Sequence, residues 1–483
     1  MIDILAILLA LGLLMFLAFR GMTLLLVAPL MAVLAVVLSG SLPPLASYTQ
    51  IFMVSTGRFV VDFFPLFMLG AIFGKLMDDS GCAAAIAKGV IGKLGVERAI
   101  LAVVLCCALL TYGGVSLFVV AFAIFPIAAS LFRDAQIPKR LIPGTIALGA
   151  FTFTMSALPG SPAIQNAIPM PFFGTTSFAA PVLGIITAAI MLGLGMMWLN
   201  RRSRLAAAAG EGYGQHEDSM PAPDRTMRER TQVEGFDLAE IDPEPSGPDL
   251  PGFALAFAPV IIVVAVNLLF IQLVVPRLDT APLALPLFGE TTIEAVRGLW
   301  AVIVALSTAI LFLIATNWAR LKDLRASLNA GADASVLPIF NTASLVGFGA
   351  VVAALPAFAM ISEAMLSMGE GNPLVSVAVA VTTLSALTGS ASGGMTIALD
   401  ALGANFVELA ASTGTSLEAM HRVTAVSSGA LDALPHNGAV ITVLGICKLT
   451  HRDSYLDILA VAVVIPMISL VALIVLASLF GAF

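Results

Sequence analysis

The chain is predicted to be an all-α polytopic membrane protein built as an inverted-topology repeat, and three observations carry that reading. Of 483 residues, 59% are hydrophobic and 11% charged, with mean hydropathy +1.03, more apolar surface than a water-soluble core of ordinary size can hide. Apolar stretches of the roughly 20 residues that cross a bilayer recur along the chain. Two pairs of polar, helix-breaking peptides sit at matched places: SALPGSPAIQNAIP at 156–169 with DALPHNGAVITVL at 432–444, and TYGGVSLF at 111–118 with TGSASGGMTIAL at 388–399. Leu158-Pro159 and Leu434-Pro435 are 276 residues apart, and Gly113-Gly114 and Gly393-Gly394 are 280 apart, so one unit is written twice.

Taken in order, spans are predicted near 2–19, 22–39, 59–77, 141–166 and 179–199, then near 252–276, 298–318, 335–362, 421–446 and 455–480. Residues 2–19 lack a basic leader and a convincing small-residue cleavage site, so they read as a retained membrane helix. The stretches at about 100–132 and 373–402 are too long for one straight helix and carry the glycine pairs near their middles. They read as re-entrant hairpins that enter and leave on the same side. Residues 80–98 are amphipathic and lysine-bearing, which suits a helix along the interface.

Charge bias tests this threading. With both termini outside, the clusters at Arg20, Lys75 to Arg98, Arg133 to Arg140, Arg201 to Arg204, Arg320 to Arg325 and Lys448 to Arg452 all fall on the cytoplasmic side. Arg58, Arg277 and Arg297 fall outside. Every span of 1–199, with its hairpin at about 100–132 and broken helix at about 141–168, then has an oppositely directed partner in 252–483, with its hairpin at about 373–402 and broken helix at about 421–446. Between them, 201–250 holds six arginines against eleven acidic residues, five of the chain's seven net negative charges. The segment 200–251 therefore reads as a solvated cytoplasmic linker whose charge says nothing of a substrate. Nothing in the chain points to nucleic acid. The four cysteines, Cys82, Cys106, Cys107 and Cys447, lack metal or redox spacing and read as small core residues, so neither a metal nor a cofactor is expected.

Breaking a helix inside a membrane frees backbone polar groups that lipid cannot satisfy, so such breaks persist where protein, water or a ligand supplies partners. Pro159 and Pro162 break the first motif; Pro435 and Gly438 break the second. The residues placed at a substrate site on this basis are Gly113, Gly114, Ser116, Ser156, Ser161, Gln165, Asn166, Ser390, Ser392, Gly393, Gly394, Thr396 and Asn437. The glycines would allow reversal and close approach of backbone to a ligand, and half-helix N-termini would favour a carboxylate. Small residues also serve plain helix packing in membranes, and for any single position that reading weighs as much. Asn166, Ser161 and Asn437 are expected to hold the substrate's carboxylate and hydroxyl. No Lys or Arg lies in either motif, which disfavours phosphorylated substrates. Asp432 and His436, four residues apart on one helix face, are the titratable pair expected to carry a coupling proton, a structural hydrogen-bonded pair being the alternative.

The two motifs, the glycine tips and the trailing GICKLTHRDSY at 445–455 together resemble the gluconate permease family of proton symporters, within the ion transporter superfamily. The resemblance covers nearly the whole chain outside 200–251. It implies proton-driven uptake of sugar acids or other small hydroxy acids across a bacterial cytoplasmic membrane. It also implies an elevator-type fold in which hairpin and broken helix move together against a scaffold. The ALPHNG form of the second motif looks more like branches linked to short hydroxy acids such as 3-hydroxybutyrate. Sodium coupling, through carbonyls and hydroxyls around Ser392 and Ser161, is the nearest rival, and a homodimer is left open. A channel or an intramembrane hydrolase stands further off, since no Gly-x-Gly-Asp, Gly-x-Ser-x-Gly or His-Glu-x-x-His motif occurs.

Overall fold

The computed structural model describes residues 2–20, 22–115, 117–216, 250–360, 363, 369, 371–435 and 437–483. Among these, all regular structure is helical, and seven helices are long and apolar enough to cross a membrane: Pro44–Asp79, Pro181–Ala208, Phe253–Arg277, Ile293–Asn317, Leu324–Ala353, Ala391–Thr413 and His451–Phe480. The protein is a polytopic membrane protein. Ile2–Phe19, Leu24–Ser39 and Pro373–Thr388 are shorter apolar helices.

The same order of elements occurs twice. Ile2–Phe19, Leu24–Ser39 and Pro44–Asp79 precede a hairpin of Ala99–Tyr112 and Leu117–Asp134, a broken helix, and the closing helix Pro181–Ala208. Phe253–Arg277, Ile293–Asn317 and Leu324–Ala353 precede a hairpin of Pro373–Thr388 and Ala391–Thr413, a broken helix, and His451–Phe480. Pro44–Asp79 packs on its counterpart Leu324–Ala353, and Pro181–Ala208 on His451–Phe480, as elements beside a two-fold axis do.

Packing divides the helices into two groups. The three helices that open each half pack on one another, while hairpins, broken helices and closing helices form a second cluster. The groups meet where Leu324–Ala353 lies on Ala391–Thr413 and where Ile293–Asn317 lies on Pro169–Phe173.

Several boundaries differ from the sequence reading. The span expected at 59–77 is the far part of a 36-residue helix that starts at Pro44, where proline's missing N–H costs nothing. At about 1.5 Å per residue, such a helix exceeds the ~30 Å hydrocarbon core and must tilt or protrude. Cys82–Leu94 meets Val96–Tyr112 at a bend of 107°, fitting the amphipathic helix expected at 80–98. The helix expected at 335–362 begins earlier, at Leu324, and ends at Ala353.

The expected linker also begins later than 200. The alanines at 206–208 continue the helix Pro181–Ala208, alanine being the best helix former, and 211–216 dock on the protein. Arg140 donates to both carboxylate oxygens of Glu211, at 2.7 and 2.8 Å, and reaches Asp457 at 3.4 Å. Asp457 also accepts from Arg202 and from the Trp198 indole, and Tyr213 is buried beneath the Arg133 guanidinium. Hydrogen bonding and charge from Arg140 hold the Glu211 carboxyl below its ordinary range. A lowered carboxyl stabilises the dock fully above the free glutamate range, and the gain disappears as pH falls through the lower, folded value. Thermal stability in detergent should therefore fall more steeply with acidification in the parent protein than in Glu211→Gln. Parallel acid limbs in the two proteins would show that this pair contributes nothing.

Candidate functional site

The first break is held open by side chains that the sequence reading passed over. Ile142–Ala150 and Phe153–Ser156 end at 157–163, and the chain resumes as Ile164–Ala167 and Pro169–Phe173. Arg422, fully buried in helix Leu417–Ala430 of the second half, ties the flanks of this break to the segment 177–179 that precedes Pro181–Ala208. Its Nε donates to Ala179 O at 3.1 Å, Nη1 to Ser156 O at 3.2 Å and Asn166 Oδ1 at 3.1 Å, and Nη2 to Ala179 O at 2.7 Å and Ser177 O at 3.3 Å. Tyr112, beside the first tip, donates to Pro159 O at 2.7 Å. His421, also fully buried, pairs through Nδ1 with Thr175 Oγ1 at 2.6 Å and through Nε2 with Asn166 Oδ1 at 3.1 Å. The freed carbonyls of Ser156, Pro159 and Ser161 thus find partners inside the protein, from Arg422, Tyr112 and Asn166, as the bilayer requires.

Asn166 is therefore placed otherwise than expected. Its Nδ2 donates to Ser161 O and Ser177 O, both at 3.0 Å, while its Oδ1 accepts from His421 and Arg422. At 0% exposure it presents no polar atom to a cavity. Ser156 and Ser161 are likewise buried: Ser156 Oγ donates to Thr152 O, and Ser161 Oγ accepts from Ala163 N.

The second break, 431–437, is tied to the second hairpin. Asn437 caps Gly438–Ile446 by accepting from Val440 N, and its Nδ2 donates to Gly389 O at 2.8 Å. Asp432 lies 3.5 Å from the same Nδ2. Tyr455 and His451, in the trailing motif, hold the Ala433 and Pro435 carbonyls. His436 and Ser116 lie outside the described residues.

Of the paired glycines only Gly114 makes the reversal expected of them. Chain reversal falls at Gly114, with φ +97°, and at Gly389, with φ +64°, both in the region only glycine enters freely. Gly113 is in the right-handed region and packs on Val260, Gly393 packs on Leu345, and Gly394 faces the backbone of Leu384 and Ser385 in the opposite arm. Ser390 caps Ala391–Thr413 by accepting from Gly393 N, and buried Thr396 donates to Ser392 O.

A cavity of about 240 Å³ lies at the seam between the two helix groups. The first tip contributes Gly114, the first break Pro162 and Gln165, the second hairpin Ser392, and Pro44–Asp79 contributes Lys75. Of the twelve described residues among those expected to bind substrate, Gly114, Gln165 and Ser392 reach this space, while no described residue of the second break lines it. At about 30 Å³ per water it holds roughly eight waters, the size of a small organic acid. Thr111 also borders the cavity, but its hydroxyl is itself buried, with no hydrogen-bond partner among the described residues.

A helix break and the tips of two hairpins meeting at one seam cavity define a class, and the comparisons name it. The fold is similar to that of the Alcanivorax borkumensis YdaH transporter, whose crystal structure is described as revealing an unusual topology; the TM-score is 0.57 at 13% identity, covering 90% of each chain. No known family profile matches the sequence. The chain is 45% identical over 469 residues, 96% of each protein, to the uncharacterized transporter YxjC of Bacillus subtilis (strain 168), and it belongs to that transporter family. It is a membrane transporter and not an enzyme.

Arg422, His421, Lys75 and Thr111 were not singled out from the sequence. An arginine within a predicted span, as Arg422 is in 421–446, is itself a signal of a functional or structural polar centre.

Proposed function

We propose that the chain is a secondary transporter that carries a small organic acid, of sugar-acid or short hydroxy-acid size, coupled to protons, in a bacterial cytoplasmic membrane. The observation that carries this reading is the seam cavity, which joins a hairpin tip, a helix break and the second hairpin to a lysine and several hydroxyls. Its small volume suits a metabolite, and its walls belong to two separately packed helix groups. In this reading the hairpin and break cluster slides as one body against the opening helices of both halves, exposing the cavity to each side in turn. A two-fold axis in the membrane plane relating the halves would let each half take the conformation of the other, so that the two exposed states are related by that rotation.

Proton coupling is assigned to Asp432 and His436, with sodium the rival ion. Labelled 3-hydroxybutyrate and gluconate, offered to proteoliposomes under separately imposed proton and sodium gradients, test the reading directly. Accumulation is expected with an inward proton gradient alone. Accumulation with sodium alone would reassign the ion, and uptake of neither acid under any gradient would refute the substrate class. His436→Gln should still exchange substrate at equal concentrations but lose proton-driven accumulation, because glutamine keeps hydrogen bonding without titration. Undiminished accumulation in that variant would route the proton elsewhere.

A further inference from the structure

We propose that Lys75 receives the carboxylate of the transported acid, and that Asp79 holds the lysine while the cavity is empty. This rests on the reading that the seam cavity carries an organic acid. Among the described residues lining the cavity Lys75 is the only charged one; its polar companions there are Thr111, Gln165, Ser335, Thr342 and Ser392, all neutral. Its side chain is 10% exposed, and Nζ lies 2.9 Å from Asp79 Oδ1.

That ion pair is a poor helix stabiliser. The lysine precedes the acid by four residues, the less favourable order, and Asp79 is the last residue of its helix, where the carboxylate meets the negative end of the helix dipole. Asp79 is thus held by the lysine and not by its place in the helix. A substrate carboxylate entering the cavity replaces one carboxylate by another at the same ammonium, so the lysine is not left unpaired; the carboxylate released is that of Asp79, whose side chain is 20% exposed at the helix end.

The labelling ratio reads the charges at the cavity, and the KM separates a substrate-binding lysine from a purely structural ion pair, in which loss of either partner would raise it. In Gln165→Cys, whose thiol faces the cavity while the four native cysteines are buried, the rates of an anionic and a cationic methanethiosulfonate are compared. Lys75→Gln is expected to lower the anionic-to-cationic rate ratio by about fivefold or more, and Asp79→Asn to raise it. In proteoliposomes, Lys75→Gln should raise the KM for 3-hydroxybutyrate by about tenfold or more, Lys75→Arg should restore it, and Asp79→Asn should not raise it. Shifts of the same sign in the two variants, or an unchanged ratio and KM in Lys75→Gln, would overturn the proposal. If the parent protein takes up neither 3-hydroxybutyrate nor gluconate, the acid-transport reading falls and the carboxylate role with it. Opposite shifts of the labelling ratio would then still mark Lys75 as the cation facing the cavity.

Discussion

Replacing Arg422 by leucine is expected to abolish the folded protein, the largest effect of any single substitution in the site. The guanidinium is 0% exposed and its hydrogen bonds run to Ser156, Asn166, Ser177 and Ala179, with no carboxylate among them. Leucine would abandon the Ser156 and Ala179 carbonyls inside the membrane domain and remove one of the two donors to Asn166 Oδ1. Each buried acceptor left unmade costs about 1–3 kcal/mol, so the two carbonyls together cost about 2–6 kcal/mol, which reaches the low end of a total stability of about 5–15 kcal/mol. Lysine should rescue in part, since it keeps the charge but loses the planar fork that serves several carbonyls at once. Size-exclusion profiles and thermal melting of the detergent-purified variants measure this. A leucine variant as monodisperse and as stable as the parent would show that the break holds its shape without the arginine.

What was legible in the sequence follows from physics that acts locally. Apolar length marks spans, and proline or glycine inside an apolar run marks a break, so Pro159, Pro162 and Pro435 placed both interruptions and the glycine pairs placed both hairpins. What satisfies a break is not local. The partners of the first break come from Arg422 and His421, some 250 residues away, and the cavity's cation comes from helix Pro44–Asp79, outside both motifs. Asn166 was legible as a polar residue that needed partners, but not as one whose partners were protein. The roles of the second glycine pair were hidden for the same reason, because Gly389 and not Gly393 makes the turn, and only the fold shows what Gly394 touches.

Gly394→Ala is expected to pry the second hairpin apart. A methyl group on Gly394 would overlap Ser385 N and Cα and stand 2.5 Å from Leu384 C, all backbone of the opposite arm, so no side-chain rotation relieves it. The arms must separate, at a cost of about 1–3 kcal/mol or more for an overpacked contact. Separation also pulls on the tip, where Thr388 Oγ1 donates to Ser390 O and Asn437 Nδ2 donates to Gly389 O, so the second break shifts with it. Gly393→Ala is the control: its methyl would meet the end of the Leu345 side chain at 2.5 Å, which can rotate away. The expected result is a marked loss of thermal stability and of uptake in Gly394→Ala and a smaller loss of stability in Gly393→Ala, with melting and proteoliposome uptake measured side by side. Equal losses in the two would place the constraint at the contact with Leu324–Ala353, across the seam, and not within the hairpin.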